Sequence, residues 1–125
     1  MPKAQRFRSE KHEHIWYHWP KVCAKVMLWS TNQAEQARKL ICEAAKHRQL
    51  YLIAKESNTQ FIFAWVAPWG DEVLVVYDSL RHLPKSVHRQ AEMPEYWAQA
   101  EEEYFAPIRR STHAGVAPRP AAALD

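Results

Sequence analysis

Three histidines stand close together, His12, His14 and His18 in the stretch HEHIWYH. Neutral imidazole is a good ligand for zinc, nickel or copper. On an extended strand His12 and His14 project to the same side, and His18 follows on that side. From His14 to His18, however, an extended chain covers about 13 Å, so one ion cannot be shared by all three without a bulge. The expectation is a solvated histidine-rich stretch, with these residues as candidate metal ligands and no resident cofactor.

A second set is Asp78-Ser79-Leu80-Arg81-His82. Asp, Ser and His are the ingredients of a nucleophilic triad, and loops after strands often hold catalytic groups. Triads need convergence in space, which so short a run rarely supplies, and the chain has no G-x-S-x-G elbow. The set therefore reads as a strand-end turn in which Asp78 accepts backbone hydrogen bonds. Arg81 and His82 remain candidate polar contacts to a ligand. Lys85, His88 and Arg89 could extend a basic edge for phosphate with Arg81, but a solvated linker is the favoured reading. The acidic run Glu101-Glu102-Glu103 splays around a helix and reads as a wet face.

Several chemistries are excluded outright. The chain has two glycines, Gly70 and Gly115, so neither a P-loop nor a dinucleotide fingerprint can be built. Cys23 and Cys42 form no C-x-x-C pair and read as small buried hydrophobes in a reducing compartment. The polar first fifteen residues, MPKAQRFRSEKHEHI, carry no apolar leader, and no run reaches the ~18 apolar residues of a membrane span. A cytoplasmic protein without membrane association is expected. The helix-then-strands order resembles the topology of many metal-dependent nucleases. Their carboxylate-x-Lys pair has no counterpart here, because the strand opened by Asp71-Glu72 contains no Lys.

The elements that must position these residues can be read from periodicity. Residues 1–11 form a basic arm. Along 12–19 histidines and aromatics alternate as on a strand, and 22–29 reads as strand or short helix, with a lean to strand. Asn32 and Glu35 have capping-box spacing, and Ala34, Ala37, Ile41 and Ala44 follow the helical rhythm of a capped helix over 32–48. Leu50–Glu56, Gln60–Ala67 and Val73–Asp78 are β-rich runs joined by short turns, which makes an antiparallel meander over about 50–78. Pro94 opens a helix over 94–105, which Pro107 should end. The fold class is thus α+β, a meander with an N-terminal strand region and two helices packed on it. A single domain spans 12–108, and 109–125 is a Pro/Ala-rich tail.

Both faces of the meander are apolar. Phe61, Phe63 and Trp65 point one way, and Ile62, Ala64 and Val66 the other. An antiparallel sheet with one wet face should alternate apolar with polar, so something must cover each side. The Ala-rich helix suits the small-residue face, leaving the bulky face to the N-terminal segment, the last helix or a second copy of the chain. A non-enzymatic binding or accessory protein is therefore expected, homodimeric or meeting another protein through an aromatic surface of Trp16, Trp19, Phe61, Phe63 and Trp65. The alternatives are nucleic-acid binding and a small His-dependent or metal-dependent enzyme using His14, His18 or His82. An internal match of the two halves is the favoured reading of the uneven charge, which still allows the former: residues 1–58 hold eleven Lys/Arg against five Asp/Glu, and 59–125 hold six against nine. Arg6, Arg8, Lys11, Lys21 and Lys25 would then meet phosphate.

Overall fold

The computed structural model describes residues 10–113, with side chains from 18 to 111. Arg6, Arg8 and the tail beyond 113 lie outside the described residues, as do the side chains of Lys11, His12, His14 and Trp16.

Two helices come first, α1 (Glu10–Met27) and α2 (Thr31–Lys46). The strand expected at 12–19 is therefore a helix, and so is most of 22–29. The alternation of His with aromatics imitates a strand, but the longer rhythm decides. Trp19, Cys23 and Met27 recur every fourth residue and are all buried, with Val22 and Val26 beside them. That stripe gains its burial only on a helix, and α1 runs through Pro20 despite the missing N–H. The buried indole N–H of Trp19 donates to the Ala34 carbonyl at 2.7 Å, tying α1 to α2.

The capping box of α2 sits two residues earlier than expected. Ser30 Oγ accepts from the Gln33 N–H at 3.1 Å, and Gln33 Oε1 accepts from the Ser30 N–H at 2.9 Å. Glu35 instead pairs with Arg38 one turn on.

The meander forms in the expected order and gains a member. Strands β1 (Tyr51–Lys55), β2 (Gln60–Val66), β3 (Glu72–Asp78) and β4 (Leu83–His88) lie side by side in sequence order, all antiparallel. Pro84 hides β4 in the sequence. An edge strand tolerates proline, and the register shift opposite Val76 and Tyr77 absorbs it.

The sheet is covered on both faces by its own chain, though not in the expected arrangement. Phe63, Trp65, Val73, Val75 and Tyr77 pack beneath α1 and α2 against Trp19, Cys23, Trp29, Ala34, Ala37 and Ile41. The Ala-rich helix thus meets the bulky face, not the small one. Dense packing explains the choice: alanines leave room for the aromatic rings, and α1 fills the remainder. On the other face Ile62, Ala64, Leu74 and Val76 pack against Ala100, Phe105 and Trp97.

That second cover is longer than Pro107 suggests. After a 3-10 turn, α3 (Pro94–Ala100) passes through a π-helical turn (Glu101–Phe105) into α4 (Ala106–His113). The Ala106 N–H reaches back to the Glu101 carbonyl, one residue further than in an α-helix. The wider turn falls just before Pro107, where the ladder must lose a donor anyway. Arg109 then clasps Glu72 (2.7 Å) and Glu101, holding α4 against β3. Among the described residues, no helix is long and apolar enough to cross a membrane.

Candidate functional site: a cavity at the end of α2

The last turns of α2 overhang one end of the sheet. Cys42, Ala45 and Lys46 point down from the helix, and Arg48 follows it. Phe61 opens β2, Tyr77 and Ser79 close β3, and His82 lies in the turn to β4. Together they line a half-open cavity of about 540 Å³, within the usual size range of small-molecule sites.

Strand register builds the floor. Phe61 and Tyr77 are direct cross-strand partners. Phe63 wedges between them in sequence and space, its ring edge-on to Phe61 at 6.1 Å and to Tyr77 at 5.9 Å. Phe63 itself is fully buried, while Phe61 is half-buried and meets the cavity. Lys55 Nζ stands 5.7 Å from the Phe61 ring centre, a cation–π contact.

Two turns set the rim. Past α2, the Arg48 N–H donates to Ala45 and the Gln49 N–H to Ala44, closing the last helical carbonyls. This places Arg48 at φ 56°, in the left-handed region where glycine is the usual choice. The β3–β4 turn is held by Asp78, only 2% exposed. Its Oδ1 accepts from the Leu80 and Arg81 N–H groups at 3.0 Å, and its Oδ2 from the Arg81 guanidinium at 3.1 Å. His82 follows at φ 58°, again left-handed without glycine.

Polar groups around the cavity are unevenly used. Glu35 is taken by Arg38, and Glu43 by His47. Lys46, Arg48 and His82 have no side-chain partner among the described residues, and no carboxylate lines the cavity. Tyr77 is 5% exposed, yet its hydroxyl likewise has no hydrogen-bond partner there. Burial pushes the Tyr77 phenol up, so it remains a donor at neutral pH. Burial also pushes the Cys42 thiol up against the opposing pull of Arg38. It stays protonated and weakly donates to the His82 carbonyl at 3.7 Å, which makes it a wall of the cavity and a poor nucleophile.

The structure disperses much of the expected site. Trp19, Phe63 and Trp65 are core side chains. Phe61 and His82 are brought together in the cavity, whereas Arg81 gives its Nη1 to Asp78 and keeps a buried Nε without a partner among the described residues. Asp78, Ser79 and His82 form no triad, since Asp78 serves the turn and the Ser79 hydroxyl donates to the Asn58 carbonyl. His12 and His14 fall in α1 and not on the expected strand, with their side chains outside the described ones, and His18 is exposed. Among the described residues no group of three metal-ligating side chains converges. Lys21 and Lys25 are exposed one turn apart on α1.

Sequence reasoning missed Cys42, Lys46, Arg48, Tyr77 and Ser79. One signal was available: an arginine stands where a helix ends and a glycine would cost less. No protein-family model matches the chain, and no curated protein or solved structure is significantly similar to it.

Proposed function

We propose that the protein is a non-enzymatic binding protein whose ligand, a small organic molecule with a flat apolar body, occupies the cavity beneath α2. The observation carrying this is Phe61, an aromatic ring left half-buried on a cavity floor while its neighbours Phe63 and Tyr77 are enclosed. No second subunit is required, because α1 and α2 already cover the aromatic face. The probe is N-phenyl-1-naphthylamine, a neutral dye that fluoresces in apolar surroundings. It should bind saturably at one site per chain and slow alkylation of Cys42 by iodoacetamide. Absence of saturable binding, with Cys42 alkylated at an unchanged rate, overturns the proposal.

A second reading, nucleic-acid binding along α1, is supported by the exposed Lys21 and Lys25. Binding of a single-stranded oligonucleotide should then weaken steeply between 50 and 200 mM salt, by roughly tenfold for two phosphate contacts. No binding at the lower salt removes it.

A further inference from the structure

Taking the cavity beneath α2 as a ligand seat, we infer that the ligand is an organic oxyanion, a carboxylate or phosphate monoester on a flat apolar body. Its charged end lies among Tyr77, Arg48, Lys46 and His82. The inference rests on the binding role proposed above and adds the chemistry of the ligand's polar end.

Three independent features converge on it. The first is charge. Lys46, Arg48 and His82 border the cavity without a carboxylate partner. On the same helix Arg38 is paired with Glu35, whereas Lys39, outside the cavity, makes no ion pair among the described residues. An apolar floor with an unneutralised cationic rim is complementary to an amphipathic anion.

The second is a donor facing the cavity. Tyr77 lines it, and its hydroxyl has no acceptor among the described residues. An oxyanion supplies the acceptor. A phenol kept protonated by burial is the right donor for it.

The third is backbone conformation. Among the described residues three that are not glycine are left-handed, Leu28, Arg48 and His82, and two of them line this cavity. A side chain in that conformation is strained relative to the right-handed form. Arginine and histidine are held there at the rim, and each brings a group able to meet an anion.

The test displaces bound N-phenyl-1-naphthylamine with three competitors of one shape: 2-naphthamide, 2-naphthoate and 2-naphthyl phosphate. At least one anion should compete about tenfold more strongly than the amide. Whichever anion is stronger identifies the carboxylate or the phosphate source. Arg48→Gln and Tyr77→Phe should each shrink the anion-to-amide ratio several-fold. Lys39→Gln, an equal loss of charge on α2 outside the cavity, should leave that ratio alone. Equal competition by all three overturns the oxyanion inference and leaves the binding role standing. An anion preference that survives Arg48→Gln and Tyr77→Phe but falls with Lys39→Gln overturns it too, because the charge read is then general. Failure of the dye itself to bind overturns both.

Discussion

The two ends of the sheet use aromatic residues in opposite ways. At the β2–β3 hairpin, the Trp29 indole N–H donates to Asp71 Oδ2 at 2.7 Å. Its ring meets Trp65 and Trp69 edge-on at 6.5 and 5.1 Å. The turn closes on itself through Ala67, Gly70 and Asp71, and Trp29 is 4% exposed. At the far end Phe61 and Tyr77 also pack edge-on through Phe63, yet a cavity remains above them, and Lys46, Arg48, His82 and the Tyr77 hydroxyl beside it have no side-chain partner among the described residues. The adjoining hollow beside the hairpin, near Gly70, Arg89 and Trp97, has carboxylates of its own in Asp71 and Glu72. Aromatic content alone therefore does not mark a site. What separates the ends is access: the hairpin end keeps even its unpartnered Trp69 indole N–H buried, whereas Phe61 and the cations around it open onto a cavity.

The largest consequence concerns Trp29. Trp29→Ala should cost about 3–5 kcal/mol in urea unfolding, whereas Phe61→Ala should cost about half as much and abolish dye binding. Equal costs with dye binding retained in both would erase the distinction between a sealed end and an open one. Asp78→Ala comes next, at about 3 kcal/mol. It strips two backbone N–H groups and the Arg81 guanidinium of their acceptor and should loosen the rim at His82. Calorimetric melting would register it.

A third expectation is a pH dependence centred on the packed helices. Burial pushes the Cys23 thiol from 9.0 up to about 12. A folded value above the unfolded one means that the stabilisation is complete below pH 9 and is lost as pH rises toward 12. Unfolding free energies from urea titrations should hold from pH 7 to 8.5, then fall by up to about 1.4 kcal/mol per pH unit. Cys23→Ala should flatten the onset of that decline. The smallest effects belong to the left-handed residues. Arg48→Gly, His82→Gly and Leu28→Gly should each stabilise the fold by about 0.5–1 kcal/mol. The first two should also weaken binding of the preferred naphthyl anion, and Leu28→Gly, far from the cavity lining, should not.

Legibility followed the strength of local pattern. The meander and α2 were readable because β-branched alternation and an Ala-rich four-residue rhythm each outweigh their alternatives. The N-terminal segment misled because HEHIWYH alternates over a few residues, while the spacing that matters, Trp19, Cys23 and Met27, emerges only across the proline. β4 was hidden by Pro84, and the run through Pro107 by a π-helical turn that no propensity scale encodes. Of the site, Phe61 and His82 could be singled out by type. Their convergence with Arg48 and Tyr77 depends on where α2 stops over the sheet, which is a tertiary fact. Trp19 and Trp65 looked like surface candidates only because the cover on their face was not visible in the chain.

The most direct measurement is a two-dimensional amide NMR titration with 2-naphthoate. The account predicts saturable shifts for Cys42, Arg48, Phe61, Tyr77 and His82, with Trp29, Trp69, Gly70 and Asp71 unmoved. Shifts gathered at the hairpin end, or none that saturate, would contradict it.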